Sequence, residues 1–179
     1  ILNRLFIAIM KKESAEQAIH FAHEAIELHG GNGYIEDFVT PRLLRDAQVL
    51  TVWEGTANIL GLELVRLVRK FDAHLLFIEF IEQRLSHIQE QNSRYQIVQI
   101  ELAKLNEKLI KFAKLDENIQ TLEAKLIAKQ MAWMYESLVA IEVAQKLGGN
   151  YELLADIYLE NTWNLREFGA KARSLELFL

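Results

Sequence analysis

The 179-residue sequence has no cysteine, one proline and only eight glycines. Without cysteine there is no disulfide, no thiolate metal site and no cysteine nucleophile, and the expected setting is a reducing, cytoplasmic one. With a single proline and an abundance of Leu, Ala, Ile, Glu and Lys, little in the chain breaks a helix. No apolar run approaches the roughly 20 residues of a membrane span, and no segment reads as a signal peptide. Basic side chains number 20 against 25 acidic, a net charge of −5 that gives no electrostatic reason to expect nucleic acid or an anionic membrane. An initiator methionine is also missing. The chain opens on Ile1-Leu2-Asn3-Arg4-Leu5 with no capping residue, so the expectation is a fragment of a longer protein that begins inside a helix.

What is present is an ordinary globular mixture, 51% apolar and 25% charged, long enough for one core or a core with a helical extension. Apolar positions keep helical spacing from Ile1 to Leu28, and Gly30-Gly31 should end that helix with a left-handed residue. Residues 32–39 read as loop. Thr40-Pro41 is a start signal for a short helix to about Leu50, and Thr56 can cap the next one. Beyond Phe71 the spacing predicts helices over 73–91, from Ser93 (a capping box with Gln96) to about 113, and a long one closed by Gly148-Gly149. Asn150 should then cap a last helix to about 177. Short connections imply antiparallel neighbours, hence an all-α, up-and-down bundle over 1–70 with a helical extension, 71–179, packed on it. No strand is predicted.

Five of the eight glycines, at 30, 31, 33, 55 and 61, fall in or beside one stretch, His29 to Asn58. Within it, Glu54 stands between Val52-Trp53 and Gly55. A carboxylate sheltered by an indole has its charged form disfavoured and becomes a better base, while Gly55 would let a flat ligand approach. The expectation is a sheltered carboxylate opening onto a groove shared with the diglycine bend; the same residues also fit an exposed loop glutamate beside a core tryptophan. Gly30-Gly31-Asn32-Gly33 bares backbone amides of the kind that cradle phosphate oxygens, or is a plain helix cap. His20, His23, Glu24 and Glu27 line one helix stripe. A di-iron bundle would need a second Glu-x-x-His, and neither His74 nor His87 supplies one, so no metal is expected and a solvated polar face is the reading. Arg42, Arg45 and Asp46 could pair to orient the loops.

The order and spacing of Ala25 to Tyr34 (Ala-Ile-Glu-Leu-His-Gly-Gly-Asn-Gly-Tyr), Arg45-Asp46-Ala47 and, seven residues on, Glu54-Gly55-Thr56 resembles the C-terminal helical domain of acyl-CoA dehydrogenases over about residues 1–69. Gly-Gly-Asn-Gly-Tyr, Pro41-Arg42-Leu43 and Trp53-Glu54-Gly55 with Asn58 look closest to the branch of the alkylation-response flavoproteins. Arg4 and Lys11 fit that branch's preceding helix, although Ala8 stands where a proline is usual. The resemblance implies FAD and an acyl-CoA thioester, with Glu54 as the base that takes the α-proton and its backbone N–H as one of the donors to the thioester carbonyl. It places Trp53 and Gly55 against substrate, Thr56 and Asn58 against FAD, and Gly30-Gly31 against the adenosine diphosphate of FAD in a neighbouring subunit. Glu27 stands where the family has glutamine, so its carboxylate should be turned from the pyrophosphate or should alter that contact. A homodimer or homotetramer and an electron-accepting partner follow from the same resemblance. The family's N-terminal helical domain and β-domain have no counterpart in this sequence, so the polypeptide alone should be catalytically silent. Two other functions stay open: a stress-response or DNA-associated binding module, and a purely structural oligomerisation domain.

Overall fold

The computed structural model describes residues 1–89 and 92–165, and all of their regular structure is helical. In chain order the helices are α1 (Leu2–His29), α2 (Gly31–Tyr34), α3 (Thr40–Val49), α4 (Ala57–Phe71), α5 (Ala73–Leu85), α6 (Ser93–Ala113), α7 (Glu117–Leu147) and α8 (Asn150–Thr162). The all-α class follows the sequence pattern, and so do most boundaries. α1 is continuous through Lys11-Lys12-Glu13-Ser14. Ser14 donates its hydroxyl to the Lys11 carbonyl (3.3 Å) instead of capping a new helix. Gly30 ends α1 at φ 57°, a conformation that glycine adopts at little cost.

Five boundaries differ from the sequence reading. The expected loop at 32–39 starts as a helical turn, because Gly33 N–H donates to Gly30 (2.9 Å) and Ile35 N–H to Gly31 (3.3 Å). α3 has Val39, not Thr40, at its N-cap, with Pro41 in the first turn. α5 stops at Leu85 short of 91: tight three-residue bonds from His87 to Arg84 and from Ile88 to Leu85 wind the chain out of the helix, and residues 90 and 91 lie outside the described part. α6 is capped by Asn92, whose side chain accepts from Tyr95 N–H (3.2 Å), so Ser93 is already helical. Gly149, not Asn150, is the N-cap of α8, which ends at Thr162. There Trp163 turns aside to donate its indole N–H to Ser137 (3.0 Å) and to meet Trp133 edge to face. The remainder of that expected helix, from 166 to 177, lies outside the described residues.

The chain divides into two compact units. One comprises Ile1–Ala73 with Asp116–Lys129, so it takes in a stretch that the sequence reading gave to the extension. Leu5, Ile9, Leu64 and Leu67 are fully buried in it, drawn from the first half of α1 and the second half of α4. Gly61 lets α4 approach the start of α7 closely, since a Cβ there would stand 3.1 Å from that of Ala124. α3 runs back along α1. Yet between Ala15 and Leu64 no large aliphatic or aromatic side chain is buried, and Gly33, Thr40, Pro41 and Gly61 are the buried residues there.

The other unit comprises His74–Leu115 and the chain from Gln130. Phe77, Ile81, Leu109, Met131, Met134, Leu138 and Leu159 are fully buried in it. Its helices are also tied by side chains: Arg84 makes a two-pronged pair with Glu142 and lies over the rings of Phe80 and Tyr135 (5.4 Å each). Arg94 spans Asp156 (2.9 Å) and Glu152 (3.0 Å). Among the described residues no helix is long and apolar enough to cross a membrane.

Candidate active site

The candidate residues sit at two places along α1. The first is its C-terminal end. Gly30 N–H closes on the Glu27 carbonyl (3.1 Å), and Gly33 folds back so tightly that a Cβ on it would stand 2.3 Å from the Ile26 carbonyl oxygen. Gly30 and Gly31 are different: nothing lies within 4 Å of where a Cβ would be, and their backbone faces open space. Glu27 is exposed beside them, its carboxylate 3.6 Å from His23 Nε2. His20 lies 3.9 Å from Glu24 in the same way, and the ligand atoms of His23, Glu24 and Glu27 fall within 4.8 Å of one another, all on an exposed face.

The chain then returns. Arg45 grips Glu36 with both guanidinium nitrogens (2.7 and 3.0 Å), and this hydrogen-bonded fork holds the Glu36 carboxyl below the usual range. Sequence spacing had suggested Arg42, Arg45 and Asp46 as a group. Arg42 does lie 3.5 Å from Asp46, but the stronger partner of Arg45 is nine residues upstream. Past α3, Val52 and Trp53 amides both bond back to Val49 (3.0 and 3.2 Å) and wind the chain into a turn. Glu54 and Gly55 follow at φ 58° and 104°. For glutamate that left-handed conformation costs roughly 1 kcal/mol relative to glycine. The turn is fastened from across the fold, by Lys11 Nζ donating to the Gly55 carbonyl at 2.7 Å. Thr56 then takes the N-cap position of α4 in an extended conformation, with no hydrogen bond from its side chain to the cap, and Asn58 lies exposed in the first turn.

Two expectations fail at this point. Glu54 is exposed, and Trp53, its supposed shelter, is itself 65% exposed. Shelter requires an element packed over the indole, and the described residues place none there. Nor do the diglycine bend and Glu54 share a groove. Lys11 marks where the Glu54 turn meets α1, and Gly30 lies roughly 28 Å further along that helix at 1.5 Å per residue. The structure brings Trp53, Glu54, Gly55, Thr56 and Asn58 together, and keeps Glu27, Gly30 and Gly31 apart from them. The Lys11 contact was missed by local reading, because nothing in the spacing links positions 44 residues apart.

Residues 2–68 match the family described as the acyl-CoA dehydrogenase C-terminal domain. Over those residues the chain is similar to the acyl-CoA dehydrogenases. Acyl-CoA dehydrogenase family member 11 of Caenorhabditis elegans is 39% identical over 92 residues, covering 51% of this chain and 15% of that protein. AidB of Escherichia coli (strain K12) is 39% identical over 67 residues, 37% of this chain and 12% of its own length. Among solved structures, Bd2924 in its apo form superposes with a TM-score of 0.59 at 32% identity, covering 81% of this chain and 25% of that one. The chain thus spans a small part of each relative, and the acyl-CoA dehydrogenase segment contains every candidate residue from Glu27 to Asn58.

FAD is the cofactor expected of an acyl-CoA dehydrogenase, and the geometry can be tested against it. The open backbone of Gly30 and Gly31 offers unobstructed approach to a pyrophosphate-bearing group, and Glu27 can be drawn aside by His23. The residues therefore fit one wall of such a site.

Proposed function

We propose that the chain is the C-terminal part of an FAD-dependent acyl-CoA dehydrogenase, silent by itself, in which Glu54 takes the α-proton of an acyl-CoA thioester. One observation carries the reading. Within a segment of that family, Glu54 sits on a fastened, outward-facing turn where a carboxylate can meet a ligand arriving from outside the chain. In this reading Trp53 and Gly55 face the acyl group, and the shelter that Trp53 lacks here is completed by parts of the protein beyond this chain. The Glu54 backbone N–H would donate to the thioester oxygen, where enolate charge develops as the proton leaves. Thr56 and Asn58 contact the flavin nucleotide. FAD, when bound, supplies the acceptor for the β-hydride.

The separation of roughly 28 Å along α1 supports giving Gly30, Gly31 and Glu27 to the FAD of a neighbouring copy, so the parent works as a homodimer or homotetramer. An electron-accepting partner would be needed to complete the cycle. Anaerobic mixing of the intact protein with acyl-CoA, followed by flavin absorbance, tests the base. Glu54→Gln should slow bleaching by about 10²- to 10⁴-fold, the usual contribution of a general base. Undiminished reduction in the variant removes Glu54 from the chemistry.

A further inference from the structure

We infer that Lys11 is the positioning residue for Glu54: its ammonium, through the Gly55 carbonyl, holds the 54–55 backbone in the turn that aims the carboxylate. The inference rests on the proposed role of Glu54 and adds a residue that works through it.

Four observations meet here. Lys11 is half-buried and spends its ammonium on a main-chain oxygen 44 residues away, at 2.7 Å, a charge-assisted bond to a loop with no buried apolar anchor of its own. The bond is made to one of two consecutive residues at positive φ, and one of them is a glutamate that would relax from that conformation if released. The neighbouring lysine cannot substitute. Lys12 is buried and engaged by Glu16 (2.7 Å) and Glu13 (3.5 Å), so of the two lysines Lys11 is the one that reaches the turn. Finally, Thr56 does not use its side chain to cap α4, which leaves the segment between the Trp53 amide bond and α4 with the lysine as its side-chain fastening.

The test has two arms, each with Lys11→Met and Lys11→Arg. In this chain, amide hydrogen exchange read by NMR at Val52 and Trp53 should quicken about tenfold in Lys11→Met, the loss expected for a partly exposed charged hydrogen bond, and return towards wild type in Lys11→Arg. Exchange in α7 should not change, which separates loop release from misfolding. In the intact flavoprotein, Lys11→Met should lower the limiting rate of flavin reduction by acyl-CoA and leave the half-saturating substrate concentration unchanged, with partial recovery in Lys11→Arg. Unchanged exchange at Val52 and Trp53 overturns the fastening. Faster exchange with an unchanged limiting rate overturns the positioning role. Failure of the base reading looks different: Glu54→Gln then reduces flavin normally, while the exchange result stands.

Discussion

In the second unit Phe77, Ile81, Met131, Met134 and Leu138 are fully buried and arginines bridge the helix faces, whereas from Glu16 to Leu60 no large aliphatic or aromatic side chain is buried. Phe21, Leu28, Tyr34, Val52 and Trp53 instead stand 60–86% exposed. Both regions are mostly helical, so helical spacing alone does not report which of them carries the stability. Burial does: removing apolar surface from water is worth roughly 25 cal/mol per Å², and the 16–60 region collects little of it. Its shape is set by backbone and polar contacts, namely Gly33 against Ile26, the Arg45–Glu36 fork and the Lys11–Gly55 bond.

That contrast can be broken most directly with one phenylalanine from each region. Phe77→Ala should cost about 3–5 kcal/mol in urea unfolding, whereas Phe21→Ala should stay within about 0.5 kcal/mol. Equal costs would mean that residues 16–60 have a core of their own. A smaller effect is expected at Gly33. An alanine methyl there would meet the Ile26 carbonyl oxygen at 2.3 Å and Ile26 Cα at 2.9 Å, so Gly33→Ala should lose about 1–3 kcal/mol by forcing the backbone apart. Gly31→Ala, with nothing within 4 Å, should cost far less, and thermal melts of the two variants compare them.

The smallest expected effect is acid sensitivity at Glu63, in the first unit. Hydrogen bonds from Arg66 (2.7 and 2.8 Å) hold its carboxyl below the ordinary glutamate value against the opposing effect of burial, with Arg4 adding to the shift. A folded carboxyl that titrates lower than its unfolded counterpart contributes stability above the unfolded pKa, and that contribution is lost as pH falls through the folded pKa. Glu63→Gln should therefore flatten the acid limb of the stability profile and change little where the group would be protonated anyway. A mutant profile parallel to wild type down to low pH would contradict this.

The sequence made some of this legible for definite reasons. Gly30-Gly31, Thr40-Pro41 and Gly148-Gly149 are backbone punctuation, so helix boundaries near them fall within a residue or two. No glycine or proline marks the break after Leu85, and the capping pattern at Ser93 masked the true cap at Asn92. The family motif singled out Glu54, Thr56 and Asn58, which lie on the turn, at the N-cap of α4 and in its first turn respectively. The shelter of Glu54 was read from adjacency to Trp53, yet an indole can shelter a neighbour only where it is itself covered, and Trp53 is exposed. The Lys11–Gly55 contact was invisible because it depends on the return of the chain along α1, a tertiary event, and the Arg45–Glu36 fork because it depends on how the irregular residues before Thr40 turn into α3.

The left-handed backbone of Glu54 also decides which replacements are informative. Aspartate tolerates that region better than most side chains, so Glu54→Asp can keep the turn while drawing the acid back by one methylene. Glu54→Gln keeps the length and discharges the tip. One substitution varies how far the group extends and the other varies whether it can accept a proton, so geometry and basicity can be titrated apart at a single position.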